Sequence, residues 1–206
     1  MELKPSEQVE ALFARDQGLE YEAHYSLYVN QTGYLSNSTF YQKVDNSYLV
    51  VQGIFFNKTA HLFILGNETF VCEETKENIT CYVPPQPIIY QTVLLFGHPA
   101  ALLKDEINRE GIEGVFAEDD NYTFYQETHA GVVSDCFHVD MKLGPYSSSK
   151  MLECCFAPDG VVTYFNRESI RGGFVSQELT SLSYAVVPDD VFNLPVAPTP
   201  YVQPSP

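Results

Sequence analysis

The sequence predicts an α+β fold that is mainly β, an antiparallel sheet with an N-terminal helix and a mid-chain helical insert. Three observations carry that expectation. Runs such as LEYEAHYSLYV alternate apolar and polar residues with the period of a half-buried strand. A stretch opened by Pro84, Pro85 and Pro87 abandons the alternation and takes the length and apolar spacing of short helices. With 45% hydrophobic against 18% charged residues, and 14 each of Tyr and Phe, the composition is that of a folded β protein with an aromatic core. At 206 residues the chain has the size of one ordinary domain, expected over 1–194, with a Pro-rich tail or linker over 195–206.

Taken in order, SEQVEALFARD (Ser6 to Asp16) sets Val9, Leu12 and Phe13 at helical spacing behind a Ser6 cap that follows Pro5. In LEYEAHYSLYV, Leu19, Tyr21, Ala23, Tyr25, Leu27 and Val29 face one way and Glu20, Glu22, His24 and Ser26 the other. STFYQKV, SYLVVQG, AHLFILG, ETFVCE and ITCYV continue as a meander, divided by turns such as FNKT and GNET. IIYQTVLLF and HPAALLKDEINRE read as two short helices broken at Gly97 and Pro99. Strands resume at NYTFYQETH, GVVSDCFHVDMKL, KMLECCF, VVTYFNRES and FVSQELTSLSYAVV. The closing PVAPTPYVQPSP, with five prolines, reads as an extended, unpacked stalk. Such a stalk joins a domain to a neighbour or a membrane anchor, or simply ends loosely.

Charge excludes several partners. Twenty-seven acidic against 11 basic side chains leave −16, and no Lys/Arg cluster is present to neutralise phosphates, so nucleic acid and anionic membrane surfaces are poor ligands. No 18-residue apolar run exists, and MELKPSEQVE lacks the apolar segment of a signal peptide, so the chain reads as a trimmed fragment.

Two patterns point to an oxidising, glycosylating compartment. Asn-x-Thr occurs six times, at Asn30, Asn37, Asn57, Asn67, Asn78 and Asn121, where ten Asn and 12 Thr placed at random would give fewer than about one such triplet. The set reads as glycan acceptors; the bland alternative is that Asn and Thr both favour turns and strand ends. Cys72 and Cys81 flank the polar run EETKENIT, which reads as a hairpin tip closed by a disulfide. The second pair follows from strand parity. In SDCFHVDMKL the apolar face holds Phe137, Val139, Met141 and Leu143, and Cys136 lies opposite with Ser134, His138 and Asp140. In KMLECCF, Leu152, Cys154 and Phe156 share one face and Glu153 and Cys155 the other. A hairpin keeps like faces together, so Cys136 bonds Cys155 and Cys154 remains a free buried thiol opposite Phe137. No structural metal is expected, because C-x-x-C and H-E-x-x-H spacings are missing. His138 and Asp140, on one strand face, could hydrogen-bond or take a metal, but read better as surface polar residues.

SLSYAVVPDDVFNLP, Ser181 to Pro195, resembles the closing segment of the LolA/LppX-like lipoprotein carriers, a final strand running into D-x-x-F-x-L/V-P, here Asp189, Phe192, Leu194 and Pro195. The outline of opening helix, long strand, meander, mid-chain helices and CFAPDGVVTYF hairpin agrees over roughly residues 6 to 195. The resemblance implies a curved, half-open barrel with helices on its concave face and an apolar pocket for acyl chains, without catalytic residues or cofactor. Burial would be the whole chemistry, at about 0.8 kcal/mol per methylene. On that reading Val93, Leu94, Phe96, Leu102 and Leu103 cover a pocket faced by Tyr25, Leu27, Phe63 and Phe137; the alternative is that they fill the core. No G-x-S-x-G, phosphate loop or dinucleotide fingerprint is present and no acid/base pair stands out among the many carboxylates, so the expected function is binding by an extracellular or surface-bound monomer, not catalysis. A glycosylated adhesion module with a packed core is the competing expectation.

Overall fold

The computed structural model describes residues 5–13, 15, 18–30, 33–44, 46–52, 59–85, 121–141 and 149–201. Their order is α1 (Pro5–Phe13), β1 (Glu20–Val29), β2 (Tyr34–Lys43), β3 (Asn46–Gln52), β4 (Thr59–Leu65), β5 (Glu68–Glu74) and β6 (Ile79–Val83). After the mid-chain stretch come β7 (Asn121–His129), β8 (Val132–Asp140), β9 (Ser149–Phe156), β10 (Val162–Ser169), β11 (Phe174–Ser183), a 3-10 turn (Asp189–Phe192) and β12 (Thr199–Pro200). The strands form one open 12-stranded sheet in the order β12-β6-β5-β4-β3-β2-β1-β11-β10-β9-β8-β7. The fold is mainly β as expected; the two expected mid-chain helices lie outside the described residues. Two compact units divide the chain, the first over 1–17, 26–35 and 99–181, the second over 18–25, 36–98 and 182–206.

In the first unit α1 covers one face of β8, β9 and β10. Val9 and Leu12 enter a buried cluster with Phe137, Val139, Leu152, Cys154, Phe156 and Phe165. The helix starts at Pro5, not behind a Ser6 cap, because proline suits a first-turn position whose N–H has no helical partner. β7 and β8 join through Ala130 (φ 50°) and Gly131 (φ 80°), the paired left-handed residues of a two-residue turn that matches strand twist. Asn30 ties the end of β1 to the turn before β11. Its Nδ2 donates to Gly172 O (3.3 Å) and its Oδ1 accepts from Phe174 N–H (2.7 Å).

In the second unit the ladder register sorts side chains onto two faces. Phe40, Leu49, Leu62 and Val71 are opposed in sequence across β2 to β5, and all are buried. One position away, Tyr41, Tyr48, Phe63 and Phe70 form an aromatic row; Tyr48 stacks on Phe63 at 4.2 Å and on Tyr41 at 5.6 Å. β1 shows the predicted alternation, with Tyr21, Ala23, Tyr25 and Leu27 buried.

The expected unpacked stalk is corrected by the described part of the tail. Leu194 and Val196 pack against Phe63, Phe70 and the Cys72–Cys81 pair. Thr199–Pro200 then bridges β6 in parallel, Thr199 Oγ1 donating to Cys81 O (3.2 Å), and Tyr201 meets Tyr82 at 5.2 Å. Proline is tolerated there because β12 is an edge strand. The aromatic row needed an apolar cover, which outweighs the proline content. The preceding motif is tied down as well. Asp189 pairs with Lys43, whose Nζ also donates to Val187 O (3.3 Å); Glu20 Oε1 accepts from Val187 N–H (2.7 Å), and Phe192 is buried.

Candidate functional site

Against α1 in the first unit lies a groove of ≈ 510 Å³, lined by Gln8, Ala11, Leu12 and Arg15 and by the strand stretches Phe124–Gln126 of β7 and Asp135–Cys136 of β8. Its origin is local. β7 ends the strand order, so its helix-facing residues have a strand neighbour on one side only among the described residues. Phe124 lies opposite buried Phe137 in the ladder yet remains 39% exposed, and Tyr122 makes an edge contact with it at 6.2 Å. Ala11, Leu12 and Phe124 give an apolar wall. The other wall is polar: Gln126 Nε2 donates to Asp135 Oδ1 (2.9 Å), and Arg15, 3.7 Å from Asp135, donates to Pro158 O (3.2 Å). An amphiphile could lay an apolar stem along the first and a polar end against the second.

The opposite face of the same sheet carries a carboxylate-rich network. Tyr125 Oη donates to Glu153 Oε1 (2.6 Å), and its phenol is pushed up by burial first and by that carboxylate second. Glu153 Oε1 also stands 3.6 Å from His138 Nδ1, and His138 Nε2 reaches Asp140 Oδ1 (3.2 Å), so these two residues, expected as surface polar side chains, hydrogen-bond to each other. Tyr164, raised to about 12 chiefly by burial, stacks on His129 at 5.0 Å. In the second unit a similar chain runs from Tyr48 Oη to His61 Nδ1 (2.7 Å) and from His61 Nε2 to Glu74 (3.2 Å).

The cysteines pair as parity predicts. Cys72 bonds Cys81 and Cys136 bonds Cys155, each directly opposed in register, while Cys154 lies opposite Phe137, buried and free. Burial raises the Cys154 thiol well above its usual value, and among the described residues it is packed in the apolar cluster with Phe137, Phe156 and Phe165.

The expected pocket residues are not gathered at the groove. Phe137 belongs to the cluster under α1 and Phe63 to the aromatic cluster of the second unit, while Tyr25 and Leu27 are buried side chains of β1. Val93, Leu94, Phe96, Leu102 and Leu103 lie outside the described residues. Of the sequon asparagines, Asn37, Asn67, Asn78 and Asn121 are exposed, Asn30 is partly buried with its amide engaged at both ends, and Asn57 lies outside the described residues. Sequence reasoning missed the groove and His129. NYTFYQETH alternates like any strand, and only its last place in the sheet order leaves Tyr122 and Phe124 uncovered.

No family model matches the sequence, and no curated protein is similar to it in sequence. Solved structures are similar in fold. MucB aligns with TM-score 0.58 at 13% identity over 92% of this chain and 62% of its own, so the chain spans about three fifths of MucB. An uncharacterized conserved protein from Thermus thermophilus aligns with TM-score 0.58 at 4% identity, over 96% of this chain and 99% of that one. LppX of Mycobacterium tuberculosis aligns with TM-score 0.46 at 9% identity, over 88% of this chain and 98% of that one.

Proposed function

We propose that this chain is an extracytoplasmic binding protein that holds a hydrophobic ligand, a lipid or acyl chain, and that it binds rather than catalyses. The observation that carries the reading is the open groove of ≈ 510 Å³ with Ala11, Leu12 and Phe124 on its apolar wall, a volume within the range of small-molecule sites. Burying about ten methylenes there would contribute roughly 8 kcal/mol before the ligand's lost freedom is subtracted. Two disulfides and four exposed sequon asparagines support an oxidising, glycosylating setting outside the cytosol.

Native mass spectrometry of the purified protein, followed by titration with a fluorescent fatty-acyl probe, tests the reading. Co-purifying acyl mass or saturable probe uptake is expected, and Phe124→Ser should weaken the probe about tenfold, the loss of roughly 1.4 kcal/mol of apolar contact. A clean apo mass together with no probe uptake would falsify the lipid reading. The second reading, a glycosylated surface module that contacts protein, is favoured by one observation: MucB, similar in fold, is solved in complex with MucA(peri).

A further inference from the structure

On the sheet face turned away from α1, Glu127 and His129 of β7, Cys136 of β8 and Cys155 of β9 bring four potential metal-ligand atoms within 4.8 Å of one another. As the chain stands, two of these atoms are the bonded sulfurs of a disulfide, and bonded sulfurs make poor ligands. The histidine is what requires explanation. His129 is 5% exposed, and neither of its ring nitrogens makes a hydrogen bond, an arrangement that costs free energy in a buried polar group. Its ring is nevertheless held in a defined plane by Tyr164, parallel to within 4°. Glu178 Oε1 stands 3.5 Å from Nδ1, and Glu127 Oε2 stands 3.8 Å from Nε2, on the opposite edge of the ring. A carboxylate behind one imidazole nitrogen, with the other turned to an open ligand position, is how metal-bound histidines are oriented.

We propose that, with the Cys136–Cys155 disulfide open, the two thiolates, His129 Nε2 and the Glu127 carboxylate form a four-ligand Zn²⁺ site in which Glu178 positions the histidine. The donor set selects the metal: two soft thiolates, one imidazole and one carboxylate suit tetrahedral zinc and not the all-oxygen shells of Mg²⁺ or Ca²⁺. The redox step balances. A dithiol reductant supplies two electrons and two protons, leaving as its own cyclic disulfide, and converts the pair to two thiols. Zn²⁺ then displaces both thiol protons to solvent, and the sulfurs settle about 3.8 Å apart, as two Zn–S bonds of about 2.3 Å at a tetrahedral angle require. The same two cysteines are thus a covalent link in one state and half of a metal site in the other, and the two states exclude each other.

The test uses the full chain carrying Cys72→Ser and Cys81→Ser, reduced with a water-soluble phosphine, which leaves as its oxide with oxygen taken from water, and titrated with Co²⁺ as a spectroscopic stand-in for Zn²⁺. One Co²⁺ per chain, showing thiolate charge-transfer absorption that is absent before reduction and is displaced by Zn²⁺, is expected. Glu127→Gln and His129→Ala should each weaken binding at least tenfold. Glu178→Gln should weaken it about 10- to 100-fold while keeping the thiolate bands, as loss of an orienting partner does. Absence of thiolate absorption in reduced, folded protein, or binding unchanged by Glu127→Gln and His129→Ala, would overturn the site. If the doubly substituted chain does not fold, alkylation mapping of the reduced full chain with and without Zn²⁺ decides: metal protection confined to Cys136 and Cys155 supports the site, and protection of neither overturns it.

Discussion

Cys154 and Cys155 are adjacent in the chain and opposite in environment. Cys155 turns to the sheet face where Cys136 waits across the ladder, and Cys154 turns into the cluster beneath α1. Loss of the bond, by Cys136→Ser or Cys155→Ser, should lower stability by about 2–5 kcal/mol in a denaturant titration, whereas Cys154→Ser should act only through packing. A thiol reagent should leave Cys154 unlabelled in the native protein even at mildly alkaline pH, since burial holds the thiol protonated, and should label it on unfolding. This much was legible in the sequence because side-chain parity in a strand is strict: one misplaced residue in SDCFHVDMKL or KMLECCF would have reversed the pairing. The sequons were legible only as a set. Asn30 spends its amide on Gly172 and Phe174, whereas Asn37, Asn67, Asn78 and Asn121 stand exposed. Expressed in a glycosylating host, the protein should carry glycans at these exposed positions and not at Asn30; site mapping by mass spectrometry that finds Asn30 fully occupied would refute this.

Among the elements, the β7–β8 hairpin carries a local cost at a known place. Ala130 occupies the left-handed region at φ 50° beside Gly131, and a Cβ-bearing residue without a short polar side chain is disfavoured there. Ala130→Asn, which restores the Asn-Gly pair that such turns prefer, should raise stability by about 1 kcal/mol, read as a higher melting temperature. The hairpin strands themselves were readable from periodicity, as was the helix over Val9 and Leu12. The tail was not. Five prolines dominate any compositional reading of the tail, yet Leu194 and Val196 meet an aromatic cluster whose need for a cover belongs to other strands and is invisible in the local sequence. The groove was hidden for a related reason: exposure of Phe124 follows from where β7 falls in the strand order, and order among a dozen strands is a long-range property.

For the whole molecule, tyrosines set the alkaline limit. Tyr48, Tyr82 and Tyr164 are each raised to about 12, with burial the first cause in every case. An unfolded tyrosine ionises near about 10, so above that pH the unfolded chain holds fewer protons than the folded one and stability falls. The contribution is complete below pH 10 or so and disappears as pH rises through 12. Denaturant midpoints should therefore decline across that window, and Tyr48→Phe, which removes one such proton, should make the decline shallower; an unchanged slope would count against buried phenols as the cause. The pairing of β12 with β6 has a mechanical consequence. Thr199 and Pro200 run alongside Tyr82 and Val83 in the same direction, and β6 is welded to β5 through Cys72–Cys81. Tension drawn through Tyr201 passes into a two-strand block that cannot be peeled apart one strand at a time, so β5 and β6 must come away from β4 as a single piece.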